Sequence, residues 1–390
     1  MYFNSKGDAE VTYDAIVVGS GISGGWAAKE LAENGLKTIV LERGRKVEHV
    51  ADYVTASKEV FDWPGNTENS SLEELKDYPV QRRTGYTTRR GHRHWFVKDT
   101  EHPFVEIKPF NWMRGYHLGG RSLTWGRQSY RLSPMDFEAN AKEGVAVDWP
   151  IRYRDIAPWY DKVESYIGVS GMKAGLPQLP DGIFQPPMQL NCIEKDVAER
   201  ISEHYDDRMM MIGRTANLTE PIGNRGKCMS RNRCMRGCPY GAYFSSNSST
   251  LPAAEATGNL TIRPWSIVTE IIYDDATEKA TGVRIMDAES GELKEYYSKV
   301  VFVCASAFGS TWIMMNSKSE RFPNGFGNDS GELGHNVMDH HFRCGASGKS
   351  DKYADQYYKG RRPNGIYVPR FQNVSGQTKR SEYTRGFGYQ

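Results

Sequence analysis

Three glycines and one acidic residue near the start of the chain have the types and spacing of a dinucleotide site. The segment from Gly19 to Gly24 reads Gly-Ser-Gly-Ile-Ser-Gly. In such a motif the first glycine permits a tight turn, the second lets the backbone approach a pyrophosphate, and the third lets a helix pack closely on a strand. Glu42 stands where an acid accepts hydrogen bonds from a ribose 2′-hydroxyl and repels a 2′-phosphate. The motif predicts an adenine dinucleotide and leaves FAD and NAD both open.

The elements that would position these residues follow in the required order. An apolar, β-branched run from Ala15 to Val18 predicts a buried parallel strand. Residues 25–34 have apolar side chains at helical spacing, and a second buried strand is predicted from Thr38 to Leu41. Because the start of a helix carries unpaired N–H groups and a partial positive charge, it suits a diphosphate. This order distinguishes the segment from an ordinary glycine turn.

Three cysteines form a second cluster of residues that could bind a metal or take part in chemistry. Cys228, Cys234 and Cys238 have the spacing C-x5-C-x3-C-P, and close thiolates suit a soft metal or an iron–sulfur cluster. The end of this run echoes the bacterial ferredoxin motif, whose second cysteine would fall on Arg231. Three ligands would still suit a [3Fe–4S] centre. A degenerate motif that binds nothing and a disulfide are the alternatives.

The stretch from Gln81 to Trp95 contains five arginines and two histidines. One interpretation is a basic groove for nucleic acid or an acidic substrate, and the other is a solvated loop with scattered ion pairs. A formal net charge of +2 over 390 residues gives no strong attraction to nucleic acid or lipid. We therefore prefer the ion-paired loop and expect no nucleic-acid partner.

Composition fits a folded chain of two or three domains. Hydrophobic residues make up 38% and charged residues 25% of the sequence, which is typical of globular proteins. No apolar run is long enough to span a membrane, and the N-terminus has no recognisable secretory signal.

A second glycine-rich segment, from Arg114 to Gly126, could lie flat against a cofactor. Together with the first motif and the Val-Leu-Glu-Arg-Gly run at 40–44, it resembles the glucose–methanol–choline (GMC) family of FAD-dependent oxidoreductases. Within that family the chain is most similar to the gluconate, fructose and sorbitol dehydrogenase branch and to related sugar oxidoreductases. Thr124 stands where some relatives carry a flavin-linked histidine, so the resemblance implies non-covalent FAD. It implies a cofactor site formed by Gly19, Gly21, Ser23, Gly24, Glu42, Arg43, Arg114, Gly119, Gly120, Ser122, Thr124, Val268 and Ala305.

The predicted fold class is α/β, with a Rossmann-like, doubly wound FAD domain carrying an antiparallel meander and an interleaved, incomplete α+β substrate domain. Meander strands are predicted at 260–263, 266–273, 281–288 and 294–297, followed by a separate parallel strand at 299–304 and a helix to Met315. A short helix is predicted from Tyr53 to Phe61. The predicted divisions are the first FAD-binding part (1–50), FAD-contact loops and a lid region (51–150), substrate-domain helices, a connection and the Cys-rich segment (151–255), the second FAD-binding part (256–345) and the start of the substrate-domain sheet (346–390).

Residues 330–341 resemble a late FAD-contact segment of the family. Adjacent histidines are poor chelators, so a structural or flavin-adjacent role is preferred for His335, His340 and His341 over a metal site.

The resemblance implies oxidation of a CH–OH group of a sugar or polyol, with hydride passing to flavin N5 and electrons to a non-oxygen acceptor. The family's proton-accepting histidine lies in a C-terminal segment without a counterpart here. We therefore expect a fragment that binds FAD with little turnover, and assign no catalytic residue. The alternatives are an NAD-dependent dehydrogenase and a non-catalytic flavoprotein or iron–sulfur electron-transfer subunit.

The resemblance also implies partners and a location. Some relatives associate with a small exported subunit and pass electrons to a cytochrome. The expected location is the cytoplasm, or the periplasm after export with a signal-bearing partner, because the chain shows no signal of its own.

Overall fold

The computed structural model of the chain describes residues 12–339, 344–356 and 362–390. The chain divides into two compact units. The first unit comprises Met1–Trp125, Met235–Pro239 and Ser245–Arg343, and the second comprises Gly126–Cys234, Tyr240–Phe244 and Cys344–Gln390. Within the described ranges, no helix is both long and apolar enough to cross a bilayer.

The described residues contain the following regular elements. The strands are β1 (Thr12–Val18), β2 (Thr38–Leu41), β3 (Met211–Ile212), β4 (Leu260–Arg263), β5 (Ser266–Asp274), β6 (Lys279–Asp287), β7 (Leu293–Val303) and β8 (Ile366–Tyr367). The α-helices are α1 (Ile22–Glu33), α2 (Pro134–Glu143), α3 (Tyr153–Ile167), α4 (Cys192–His204), α5 (Thr250–Glu255) and α6 (Ser306–Asn316). Short 3₁₀ turns occur at Val60–Asp62, Pro64–Asn66, Gln81–Arg83, Arg93–Trp95, Gly120–Leu123, Cys234–Arg236, Ser246–Ser248 and Gly376–Thr378.

A mixed six-stranded sheet organises the first unit, in the order β4-β2-β1-β7-β6-β5. β1 lies parallel to both β2 and β7, and β2 lies parallel to β4. β5, β6 and β7 follow one another as antiparallel neighbours. Parallel neighbours need a crossover connection, which α1 provides between β1 and β2. The predicted Rossmann-like fold with an antiparallel meander is confirmed. The prediction that 260–263 belongs to the meander is wrong, because β4 lies parallel to β2 at the other edge of the sheet.

The prediction of two separate strands at 294–297 and 299–304 is wrong. β7 is continuous, and it pairs antiparallel with β6 at Tyr297 and parallel with β1 at Val300. The meander therefore extends the parallel sheet instead of lying on it. The polar residues Ser298 and Lys299 suggest a break in the sequence, but Ser298 pairs with Tyr13 of β1, so backbone pairing continues through this point.

Apolar residues cover both faces of this sheet. Val17 and Val40 belong to one buried cluster with Ala28 of α1. Ile16 and Ile39 belong to a second, separate buried cluster. Successive residues of a strand point to opposite faces, so this alternation places a core on each side. The second cluster includes Ile313 of α6. Burial on both faces explains why β1 and β2 read as continuous apolar runs.

The helix predicted from Tyr53 to Phe61 is also wrong, because this region forms turns and the short 3₁₀ element Val60–Asp62. Tyr53 and Ala56 are buried, whereas Phe61 is 79% exposed. The helical spacing of these apolar residues is therefore not used to bury one face, since Val60 and Phe61 stay exposed while Tyr53 and Ala56 pack inward.

The second unit contains α2, α3 and α4 and the short antiparallel pair β3–β8. α3 ends at Gly168, which adopts the left-handed conformation that favours glycine. The buried Arg131 guanidinium contacts Glu164 and Asp161 of α3, each at 2.5 Å. This ion-pair group ties the segment before α2 to α3.

Candidate cofactor site

The three glycines of the first motif differ in what requires a glycine at each position. Gly19 has a φ of +93°, and a Cβ there would lie 2.6 Å from the carbonyl oxygen of Cys304. A Cβ on Gly24 would lie 1.9 Å from the Gly19 oxygen. Gly21 has an ordinary φ of −63°. Among the described residues no atom lies within 4 Å of a Cβ placed on Gly21, so a ligand can approach the backbone of Gly21 closely.

The start of α1 next to Gly21 suits an anion. Gly21 is the N-cap, makes no side-chain capping hydrogen bond, and is followed by a first turn without an acidic residue. The N–H groups of a first helical turn have no acceptor within the helix. No carboxylate of the first turn therefore competes with a ligand for these amides at the positive end of the helix dipole. Ser23 is exposed in this first turn.

Glu42 follows β2 as a buried carboxylate surrounded by donors. Its Oε2 accepts hydrogen bonds from the Ser20 amide at 3.1 Å and the Ser20 hydroxyl at 2.5 Å. Its Oε1 accepts from the Gly44 amide at 2.9 Å. Burial raises the pKa of Glu42, and these hydrogen bonds act in the opposite direction. A carboxylate has about four acceptor positions, so capacity remains for a ribose hydroxyl.

The second glycine-rich segment lies against the first. The Gly119 amide donates to the Ser20 hydroxyl oxygen at 2.9 Å. A Cβ on Gly120 would lie 3.4 Å from the Gly21 Cα atom. The Ser122 hydroxyl donates to the Gly119 carbonyl at 2.5 Å. The structure therefore brings the two predicted cofactor segments together, although about a hundred residues separate them.

Ala305 completes this side of the first motif. It is the N-cap of α6, and its Cα would lie 3.2 Å from a Cβ on Gly19. The preceding residue, Cys304, donates its amide to the Val18 carbonyl at 2.8 Å. The turn after β7 is thus held against the turn after β1.

Other predicted site residues have mainly internal contacts. Arg43 is exposed, with its guanidinium 4.1 Å from the centre of the Tyr116 ring. Thr124 is buried and its hydroxyl accepts from Arg121 Nε at 3.0 Å. Val268 packs in the core beside the sheet. The FAD contacts of these residues stay predictions.

Arg114 is held by an internal ion pair. Its guanidinium lies 3.3 Å from Asp99, and both side chains are 5% exposed. It donates to the His102 carbonyl at 2.7 Å and lies 4.6 Å from the centre of the Trp112 ring. These contacts support a structural role, and its predicted FAD contact also stays a prediction.

Sequence reasoning missed three polar residues at this site. Ser20 links Glu42 to Gly119. Ser246 donates its hydroxyl to the Gly21 carbonyl at 2.9 Å, and Asn247 donates to the Leu118 carbonyl at 3.2 Å. The available signal was the hydroxyl-rich run at 245–250, which is unusual between a glycine turn and an apolar helix.

The cysteine segment lacks a metal site in the part of the chain that the structure describes. Within those residues no three His, Cys, Asp or Glu side chains are grouped to hold a metal ion. The iron–sulfur prediction for Cys228, Cys234 and Cys238 is therefore not supported. Arg231, at the position of the ferredoxin cysteine, lies 5.6 Å from the centre of the Tyr240 ring.

The late histidine segment is only partly described. His335 is exposed. His340 and His341 lie outside the described residues, so the role predicted for them stays a prediction.

The basic stretch at 81–95 forms ion pairs with glutamates from outside it. Arg83 pairs with Glu106 at 2.7 Å, and Arg90 and Arg93 pair with Glu74 at 2.9 and 2.8 Å. The hydrogen bond from Arg90 lowers the pKa of Glu74 to about 2. These pairs agree with the ion-paired loop that the sequence favoured.

Comparison with known proteins identifies the class. The family model for GMC oxidoreductases matches residues 13–342, so the chain belongs to the GMC oxidoreductase family. This confirms the resemblance drawn from the two glycine-rich segments. The open approach to Gly21, the uncapped start of α1 and the Glu42 carboxylate fit the diphosphate and ribose of FAD, the cofactor of this flavoprotein family.

Individual relatives share about a quarter of their residues with this chain. It is 27% identical over 389 residues to 2-methyl-1,2-propanediol dehydrogenase of Mycolicibacterium austroafricanum, covering 97% of this chain and 63% of that protein. It is 23% identical over 337 residues to the fructose dehydrogenase large subunit of Gluconobacter japonicus, covering 84% and 58%. It is 25% identical over 346 residues to the gluconate 2-dehydrogenase flavoprotein of Pantoea cypripedii, covering 78% and 52%.

Among solved structures, an Aspergillus oryzae formate oxidase variant matches with a TM-score of 0.43 and 15% identity, covering 80% of this chain and 48% of the other. The chain spans between half and two thirds of the length of the curated relatives described above.

Proposed function

We propose that this protein binds FAD non-covalently and, as a GMC oxidoreductase, oxidises a CH–OH group of a sugar or polyol. One observation carries the cofactor assignment. Gly21 has neither a conformational nor a packing reason to be glycine within the described residues, yet it caps a helix whose first amides lack a side-chain partner. A glycine in this setting fits close approach of a diphosphate.

The residues have separable tasks in this proposal. The first-turn amides of α1 hold the diphosphate, and Glu42 accepts a ribose hydroxyl. The loop at Gly119 and Gly120 packs on Gly21 and supports that edge of the site. Bound FAD supplies a flavin that accepts a hydride from carbon. No side chain among the described residues is assigned the role of proton acceptor.

The activities named for the relatives support the substrate class. They include dehydrogenases of a diol, of fructose and of gluconate, all of which carry hydroxyl groups. These three relatives are named dehydrogenases, which is consistent with the proposed electron acceptor other than oxygen; relatives named oxidase make oxygen the alternative acceptor. Sugars and polyols with an artificial electron acceptor are therefore the first substrates to test. FAD binding without dye reduction would favour a non-catalytic flavoprotein.

A titration with FAD tests the cofactor assignment. The wild-type protein should quench flavin fluorescence and retain FAD through gel filtration, while NAD should not compete. Gly21→Val should weaken FAD binding at least about a hundredfold, because the new side chain occupies the diphosphate approach. The variant should still fold, because a Cβ there meets no described atom within 4 Å, with a loss of about 1 kcal/mol in the free energy of unfolding from the poorer N-cap.

Gly85→Val is the matched control for this variant. Gly85 is exposed in the basic stretch, and a Cβ there also meets no described atom within 4 Å. FAD affinity should be unchanged. Failure of the wild-type protein to bind FAD, or equal binding by Gly21→Val, would overturn the proposed function.

We also propose that the protein works with a partner subunit. The fructose dehydrogenase relative is named a large subunit and the gluconate 2-dehydrogenase relative a flavoprotein, which supports this. A small exported subunit would carry it to the periplasm and a cytochrome would accept its electrons, whereas a cytoplasmic enzyme is the alternative. Cell fractionation and size-exclusion chromatography of the tagged protein from its native host distinguish these cases.

A further inference from the structure

A ring of hydrogen bonds joins three distant chain segments at the start of α1. The Ser246 hydroxyl donates to the Gly21 carbonyl at 2.9 Å, and the Ser246 amide donates to the Ser122 hydroxyl oxygen at 3.0 Å. The Ser122 hydroxyl donates to the Gly119 carbonyl at 2.5 Å. The Gly119 amide donates to the Ser20 hydroxyl oxygen at 2.9 Å. Because Ser20 precedes Gly21, the ring is closed by a covalent bond.

The amide donors fix the direction of the hydroxyl protons in this serine ring. An amide only donates, so Ser20 accepts from Gly119 and directs its own proton to Glu42. Ser122 accepts from the Ser246 amide in the same way and directs its proton to Gly119. The ring therefore supplies Glu42 with a hydroxyl donor.

The serine ring is sealed from solvent. Ser20, Ser122 and Ser246 are each 0% exposed. Ser246 fits only because its neighbour in α1 is Gly25, where a Cβ would lie 2.8 Å from the Ser246 hydroxyl oxygen. Buried hydrogen bonds that satisfy one another fix a local geometry more firmly than bonds shared with water.

The contact from Ser246 has a direct consequence for the helix amides. The Gly21 carbonyl and the Ile22 amide belong to one planar peptide group. The carbonyl already accepts the Gly25 amide at 2.8 Å, and the Ser246 hydroxyl adds a second bond. Two bonds to this oxygen orient the Ile22 N–H, which is the first amide of α1.

We infer that Ser246 and Ser122 are positioning residues for the cofactor, which act through Gly21 and Gly119 without touching the nucleotide. This inference rests on the proposed FAD site. It predicts that loss of either hydroxyl lowers FAD affinity by misorienting backbone donors. A purely structural role would instead lower stability and leave the affinity of the folded protein unchanged.

The test compares Ser246→Ala with Thr250→Val. Thr250 is also 0% exposed and also contacts Gly25, where a Cβ would lie 2.5 Å from its hydroxyl oxygen. Its hydroxyl has no hydrogen-bond partner within the described part of the chain. Ser246→Ala should raise the dissociation constant for FAD about fivefold, the effect of one lost hydrogen bond. Thr250→Val should change it less than about twofold, because only packing is altered.

Ser122→Ala provides a second variant if Ser246→Ala does not fold. It should also weaken FAD binding about fivefold, and the double variant should lose less than the product of the two effects, because both residues act through one ring. Unchanged FAD affinity in both folded single variants, or an equal loss in Thr250→Val, would overturn the inference. In either case FAD binding by the wild-type protein would leave the proposed function standing.

Discussion

Two regions of the first unit have sequences suited to anions, and they differ in how their hydrogen-bond donors are used. The glycine segments carry little positive charge, but they leave the first amides of α1 without a side-chain cap. The stretch at 81–95 carries five arginines, and several of them pair with glutamates. Anion recognition therefore depends more on donors that the fold leaves available than on the number of cations.

The partners in each region come from elsewhere in the chain. Glu74 and Glu106 lie outside the basic stretch that they neutralise. Ser246 lies 225 residues from the Gly21 carbonyl that it fixes. Contacts between distant residues therefore pair arginine side chains with glutamates in one region and orient backbone donors in the other.

The largest expected effect comes from Gly19→Ala in the glycine region. Its positive φ and a contact of 2.6 Å with backbone oxygen both oppose a side chain. We expect a loss of about 4 kcal/mol in the free energy of unfolding, together with loss of FAD binding. Urea denaturation measures the first effect. A folded variant with an unchanged urea midpoint would show that this turn is not constrained.

Glu42→Ala should have the next largest effect. It leaves the Ser20 hydroxyl and the Ser20 and Gly44 amides without their buried acceptor. We expect a loss of about 3 kcal/mol in the free energy of unfolding, together with weaker FAD binding. Urea denaturation and FAD titration check the two effects. Retention of wild-type FAD affinity would contradict the ribose role.

Stability measured over a pH series tests the glycine region through His117, which lies in the segment from Arg114 to Gly126. Burial lowers the pKa of His117 to about 4, against an ordinary value of 6.5. The unfolded chain then takes up a proton that the folded chain does not, so stability falls as pH decreases from 6.5 towards 4. Between pH 6 and pH 5, wild type should lose about 1.2 kcal/mol more than His117→Gln. Equal slopes in denaturation experiments would contradict this.

The smallest effect is expected for Glu74→Gln in the basic stretch. Glu74 pairs with Arg90 and Arg93 near the surface, where ion pairs contribute at most about 1 kcal/mol. The pKa of Glu74 is lowered to about 2, so this stabilisation is present at neutral pH and disappears as pH falls from about 4.5 towards 2. FAD affinity should not change. Weaker FAD binding would mean that the two regions are coupled.

Much of the fold was predictable because local preferences decide it. β2 and β4 have the bounds that their apolar runs predicted, and the position of Glu42 after β2 followed directly. The continuity of β7 was not predictable, because Lys299 gives a local sign of a break while pairing with β1 and β6 comes from distant residues. Local spacing also could not show that Val60 and Phe61 stay exposed while Tyr53 and Ala56 are buried.

The sequence alone determined the family, the nucleotide motif and the acid after the second strand, because these depend on residue types within a few positions of one another. The tertiary structure decided which polar groups keep a donor for a ligand. It closed the ring through Ser20, Ser122 and Ser246 and paired Arg90 with Glu74. Hydrogen bonds and ion pairs act over a few ångströms, and only folding brings residues separated by tens or hundreds of positions within that distance.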